Sequence, residues 1–239
     1  MCGRFNVEAD PLSRLLLELV RLPHPGPDNH NAAPTETIVV LRRDADGEPE
    51  LVPMRWWLTP YWAKEPGTRY AMFNARSESV DRSRAFREPF LRRRCVVPVS
   101  GFYEWAKIQQ PTSDGKRKLP YYIHPRALPG MLLAGIWDRW RDREDGAGLE
   151  SFAILTTDAS VGLEFVHDRQ PVMLSFDGAR RWLDPDADPE SLKALLKSAI
   201  PVDLEAVPVS TYVNNARNKD ARCVEPLSAP VVVAAAPAP

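Results

Sequence analysis

Cys2 follows the initiator methionine directly in "MCGRFNV". Its small side chain is one that a methionine aminopeptidase accepts, so Met1 is expected to be removed, leaving an α-amine and a thiol on adjacent carbons. The amine titrates near pKa ~7.7 to 8.0 and the thiol near ~8.5, so both are partly nucleophilic at neutral pH. A 1,2-aminothiol attacks an aldehyde through nitrogen to give an imine. Sulfur then adds to the same carbon and closes a five-membered thiazolidine, which is far more durable than a simple Schiff base. Two residues along, Arg4 supplies a permanent cation able to grip a phosphate bidentately. The stretch 76–94 holds seven arginines against three acids, the one clear basic concentration of the chain. Such a stripe suits a phosphate backbone without sequence preference. "RWWLTPYW" offers Trp56, Trp57, Tyr61 and Trp62, whose flat faces could stack unpaired bases.

The elements that must position these groups read mainly as strands. "TIVVLRR", "ELVPMRWWL", "RCVVPVSGFYEW", "YYIHP", "MLLAGIWDRW" and "SFAILTTD" are short runs rich in branched and aromatic residues, punctuated by Gly and Pro. Helices are expected from Asp10, as N-cap with Pro11 behind it and leucines at 12, 15, 16 and 19; over 77–90; and from Asp188 with Pro189. No βαβ alternation is present, so the expected fold class is α+β, mainly antiparallel, with peripheral helices. The closing "SAPVVVAAAPAP" is low in complexity and reads as a flexible Ala/Pro-rich tail, 227–239, without function.

Composition narrows the classes. At 239 residues the chain suits one domain, and 31 basic against 32 acidic residues give a net charge of −1, so any polyanion has to be held by a local patch. Three cysteines without a CxxC pair and the lack of a long apolar run argue for a reducing, cytoplasmic setting and against a membrane protein. The four histidines and three cysteines lack zinc-ligand spacing, so neither a metal nor another cofactor is expected.

Further segments fall into an order: "NAAP" at 31–34, "FNARSES" at 73–79, "VSGFYEW" at 99–105 and "HDRQPVML" at 167–174. With "MCGRF" and "MRWWLTPYWAK", they resemble the SOS-response-associated peptidase (SRAP) family of abasic-site-processing proteins. The resemblance runs to about residue 226, ending in "VSTYVNNARNKDARCVEPL", and so implies a single domain over 1–226 with the family's barrel-like fold. What it implies is a monomeric protein that binds single-stranded DNA containing an abasic site, close to the nucleoid during a damage response. The lesion's ring-opened aldehyde would be captured by Cys2. By the same resemblance Asn74, Glu104 and His167 are catalytic: His167 for opening the sugar, Glu104 for proton traffic, Asn74 for orientation. Arg4, Asn31, Trp62, Arg76, Thr156 and Arg169 are the implied DNA-binding residues, with Thr157 a neighbouring candidate. This chain departs from the family pattern at Trp57, where Gly is usual, at His30, where Tyr is common, and at Gln170, where Met is frequent.

Other readings remain open at this point. A Glu between Tyr103 and Trp105 is ordinarily the solvent-facing member of an alternating strand, and His167, Asp168 and Arg169 could be a surface charge cluster. A chain beginning Cys-Gly also suits an N-terminal-nucleophile amidohydrolase of the glutaminase type, or a non-covalent single-strand binder in which Cys2 is incidental. Neither a Ser-His-Asp order nor HExxH appears, so general proteolysis beyond self-removal of Met1 is not expected.

Overall fold

The branched run Thr37–Arg43 buries Ile38, Val40 and Leu41 and exposes its two ends, and it lies in the wall of a closed barrel. The computed structural model describes residues 2–107, 118–142, 144–197 and 199–237. In chain order the elements are β1 (Phe5–Val7), α1 (Ala9–Val20), β2 (Asn29–Ala32), β3 (Thr37–Arg43), β4 (Pro49–Trp56), β5 (Asn74–Arg76), α2 (Arg87–Arg92) and β6 (Arg94–Val99). They continue with β7 (Gly101–Lys107), β8 (Lys118–Pro125), β9 (Met131–Arg141), β10 (Gly148–Asp158), β11 (Arg169–Pro171), β12 (Met173–Leu174), α3 (Phe176–Trp182), α4 (Pro189–Leu195), β13 (Leu204–Pro208) and β14 (Val231–Val233). Three single 3₁₀ turns, Ser77–Ser79, Thr211–Asn214 and Ala221–Val224, interrupt the connections.

One sheet runs β11-β10-β4-β3-β6-β9-β12, and a further β9–β10 pairing closes five of its strands into a ring. A second sheet runs β14-β13-β8-β7-β1-β2. Pairings are antiparallel apart from β10 with β4 and with β5, so the α+β, mainly antiparallel and barrel-like expectation describes the fold. The two sheets share a core. Trp56, fully buried, packs on Phe5 of the second sheet at 4.6 Å between ring centroids and on Phe152 of the barrel at 6.4 Å. Its indole Nε1 donates to Phe73 O at 2.9 Å, which fixes the approach to β5.

Several boundaries differ from the sequence reading. Helix α1 starts one turn position early: Leu12 N donates to Glu8 O, which makes Glu8 the N-cap and leaves Asp10 and Pro11 inside the first turn. Pro11 is tolerated there because first-turn N–H groups have no intrahelical partner. The leucines at 12, 15, 16 and 19 are buried as their spacing requires. The expected helix over 77–90 is instead a 3₁₀ turn, a set of turns and the short α2. Pro89 is the cause, since it has no N–H to continue a helix from residue 85 but fits the first turn of a new one. Asp188 caps α4 as expected, accepting from Glu190 N and Ser191 N, whereas α3, capped by Ser175, has no counterpart in the sequence reading.

The run 94–105 is two strands in two sheets, β6 and β7, turning at Ser100 and Gly101. A Cβ on Gly101 would stand 2.6 Å from Ile123 O, so only glycine allows the crossing. The end of the chain is also corrected. Residues 231–233 are not a free tail but form β14 on β13, with Ala236 bridging to Ile200. Among the described residues no helix is long and apolar enough to cross a membrane. Because Trp56 joins both sheets, Trp56→Ala is expected to lower stability by about 3–5 kcal/mol, measured by urea unfolding.

Candidate active site

Strand β1 is an interior strand, flanked by β2 and β7. Phe5 lies opposite Phe102, and Tyr103 N donates to Arg4 O at 2.9 Å, so the residues ahead of Phe5 run alongside Tyr103 and Glu104. Cys2 is fully buried there. Its carbonyl accepts from Asn74 Nδ2 at 2.7 Å, while Asn74 Oδ1, also buried, has no hydrogen-bond partner among the described residues. Glu104 is 4% exposed, which removes the solvent-facing reading of the "YEW" strand. Burial, and after it the negative charge of Glu104, push the Cys2 thiol well above its usual range. At neutral pH the thiol is therefore held protonated, with a carboxylate nearby to which its proton could pass.

The NAR segment is brought to Cys2 by the end of β10. Ile154, Leu155 and Thr156 pair in parallel with Asn74, Ala75 and Arg76. Period two buries Ala75 in the core and puts Asn74 and Arg76 on the opposite face. Arg76 is exposed, and its guanidinium has no hydrogen bond or ion pair among the described residues. On the other side of β10, Thr156, Thr157 and Asp158 pair with Pro171, Gln170 and Arg169. Thr156 is fully buried, and its hydroxyl reaches Ala75 O at 3.5 Å. His167 stands two residues ahead of Arg169; its Nδ1 accepts from Arg169 N at 2.9 Å and lies 2.7 Å from Asp168 Oδ1.

Two implied DNA-binding residues sit differently from that expectation. Asn31 is fully buried: its Nδ2 donates to the carbonyls of Val213, Asn215 and Asn218, and its Oδ1 accepts from Arg4 Nη1 at 2.8 Å. These bonds hold Arg4 and the 213–218 loop in position. Arg169 is bound by Glu78 at 2.6 Å, Asp158 at 2.7 Å and Thr156 O at 2.7 Å, so its charge is neutralised within the fold. It ties the 3₁₀ turn after β5, β10 and β11 together. Arg4 also donates to Val213 O at 2.9 Å, and remains half-buried.

The arginine-rich stretch does not form one stripe. Arg94 is buried and donates to Trp182 O, Leu91 O and Asp184 O; Arg93 pairs with Asp138, and Arg92 with Glu88. Arg84 lies over the ring of Trp62 at 4.4 Å, and that ring is 37% exposed. The loop carrying Trp62 is pinned from beneath by Ser151 Oγ to Thr59 N, Asp138 Oδ2 to Tyr61 N, and Trp140 Nε1 to Ala63 O. Sequence reasoning gave no role to Arg84 or to Asn214, whose Oδ1 accepts from Trp105 Nε1 at 2.7 Å beside the Glu104 strand. The amide-rich "VNNARN" was the signal for the latter. Of the departures, Gln170 is buried and bonded, Trp57 packs on Phe73 at 5.2 Å, and His30 lies 4.0 Å from Glu8.

The family model described as SOS response associated peptidase (SRAP) matches residues 1–216. The abasic site processing protein YoqW of Bacillus subtilis is 34% identical over 232 residues, covering 94% of this chain and 99% of that protein. YoaM of the same organism, with the same description, is 31% identical over 94% of this chain and 98% of its own length. The chicken abasic site processing protein HMCES is 35% identical over 78% of this chain and 61% of its own. Among solved structures, a protein from Bacteroides thetaiotaomicron superposes with a TM-score of 0.77 at 23% identity, covering 95% of this chain and 100% of that one. A phage-related protein of Bordetella bronchiseptica gives 0.64 at 29% identity over 82% and 87%.

If the Glu104 charge raises the Cys2 thiol, Glu104→Gln lowers that pKa and increases the thiolate fraction at a given pH. The pH profile of Cys2 alkylation by iodoacetamide, followed on the Cys2 peptide by mass spectrometry, is expected to move to lower pH in the variant. An unmoved profile would separate the two groups.

Proposed function

Because the chain belongs to the SOS response associated peptidase (SRAP) family, we propose that it processes abasic sites by trapping them covalently on Cys2, within single-stranded DNA, once Met1 has been removed. The observation that carries this reading is the Asn74 amide bound to the Cys2 carbonyl, beside the buried carboxylate of Glu104. The names of the relatives supply the lesion.

The reaction balances without a cofactor. An abasic deoxyribose opens to an aldehyde, and His167 is suited to move the proton that this requires. The Cys2 α-amine adds to the aldehyde carbon, and the resulting carbinolamine loses water to give an imine. Sulfur then adds to the imine carbon, its proton passing by way of Glu104 to nitrogen, so that one C–N and one C–S bond form and one water leaves. A thiol held neutral by burial favours this order, amine first and sulfur second. Asn74 keeps the backbone of Cys2 from swinging away while the second bond closes. Arg76, whose guanidinium has no hydrogen bond or ion pair among the described residues, is the natural phosphate contact, and the partly exposed Trp62, with Arg84 over its ring, suits a base with no partner strand.

Incubating Met1-free protein with end-labelled single-stranded DNA carrying one abasic site tests the reading. A heat-stable adduct is expected with the native chain and none with Cys2→Ala, while binding of undamaged DNA stays nearly unchanged; an equal adduct with Cys2→Ala would remove the nucleophile. Glu104→Gln and His167→Ala are expected to slow adduct formation by roughly 10²-fold. Arg76→Ala removes one phosphate contact, so the slope of log affinity against log salt should become shallower by about 0.7, with the largest loss of binding at low salt.

A further inference from the structure

The C-terminal segment is built against the loop that ends in His167. Val231, Val232 and Val233 pair with Ala206, Glu205 and Leu204. Beyond them Ala235 N donates to Asp203 Oδ1 at 2.8 Å, and Ala236 exchanges two backbone hydrogen bonds with Ile200, at 2.8 and 2.9 Å. The loop itself is a series of turns: Leu163 N donates to Ser160 O, Val166 N to Leu163 O, and His167 N to Leu163 O. Its outer face is wet, with Val161 82% and Phe165 45% exposed. Leu163 and Val166 anchor the loop in the core and Phe165 lies edge-on to Tyr121 at 5.5 Å, while its first turn, residues 160–162, is held by other parts of the chain.

Two contacts hold that first turn, and both lead to the C-terminal segment. Val233 is buried and lies directly over Gly162: a Cβ at Gly162 would come 2.9 Å from Val233 Cγ1, and the glycine has φ +98°. The strand thus closes down on the turn to a distance that only glycine permits. The second route runs through Gln170, fully engaged in the interior. Its Oε1 accepts from Ser160 N at 2.7 Å, and its Nε2 donates to Ala199 O at 3.0 Å, next to the Ile200 that bridges to Ala236. Both ends of the loop's first turn are therefore referred to residues 233–236, which lie outside the 1–216 family match.

We propose that residues 231–236 are a positioning element for His167, clamping the 160–166 turns so that the imidazole is held over the end of β10. The catalytic part of this inference rests on the reading of His167 as a proton-transfer group; the clamp itself does not. Loss of a positioning contact away from the reacting atoms typically lowers a rate without changing affinity.

The test compares the full chain with one ending at Pro230 and with Val233→Ala, which keeps the backbone ladder and so guards against a truncation that fails to fold. Ring resonances of the histidines, four in all, are followed by NMR, with His167 assigned by its loss in His167→Ala. The His167 signals are expected to shift or broaden in the truncated chain and, to a lesser degree, in Val233→Ala; unchanged signals in both would overturn the clamp. Single-turnover cross-linking is then measured with saturating abasic single-stranded DNA. Truncation is expected to slow it by roughly 10-fold with unaltered affinity for undamaged DNA, and to cause no further slowing in a His167→Ala background. Equal slowing in both backgrounds would show that the segment acts elsewhere and overturn the proposal. Shifted His167 signals together with a His167→Ala chain that cross-links at the native rate would leave the clamp standing and remove only the catalytic reading of His167.

Discussion

The position of the Cys2 backbone is the constraint on which the rest of the structure depends. The strand that follows it is paired on both sides, and the Cys2 carbonyl is held by an amide from an element 72 residues away in sequence. Fixing one residue's backbone costs about 1–2 kcal/mol of conformational entropy, while a typical hydrogen bond returns about 1 kcal/mol. One contact would not hold a chain end. Pairing to β2 and β7, burial of Phe5 against Trp56, and the Asn74 amide together do, and each comes from a different part of the chain. The barrel matters to the chemistry because it brings β5 to the end of β10 in parallel, and β5 carries that amide.

Charge is used locally. With a net charge of −1, the protein exerts little long-range attraction on a polyanion, and most arginines of the 76–94 stretch are committed to carbonyls, carboxylates or an aromatic face. Among the described residues the guanidinium groups of Arg76 and Arg87 have no hydrogen bond or ion pair, and Arg76 lies two residues from the asparagine that holds Cys2. Arg169 is bound by two carboxylates, and a phosphate would have to displace at least one of them to reach it. The arrangement separates residues that build the site from those able to contact a ligand, although both kinds are arginines within one run of sequence.

Strands were legible where side-chain alternation and burial agree. Thr37–Arg43 is bounded as its composition suggests, and the Asp188 cap sits where Asp-Pro indicated. Legibility failed where the deciding partner is distant. The three valines of β14 are β-branched and suit a strand, but the Ala/Pro-rich run around them reads as a tail, and the partner that makes them one, β13, is distant in sequence. The helix expected over 77–90 fails at a single residue, Pro89. In the candidate site, the types of Asn31 and Arg169 suggested ligand contact, and the fold has given most of their polar groups internal partners, Arg169 Nε excepted; residue type alone does not report how many partners the fold has already supplied. Glu104 is the converse case, its alternating context suggesting a wet face and the second sheet burying it.

The central claim is chemical, that nitrogen and sulfur of the same residue both end on one carbon of the damaged sugar. Digesting the purified protein–DNA product with nuclease and protease, and fragmenting the Cys2 peptide in a mass spectrometer, tests it most directly. The account predicts a sugar remnant on Cys2 with one water lost, no free α-amine and no alkylatable thiol. A remnant on any other residue, or a Cys2 that keeps either its amine or its thiol free, would contradict it.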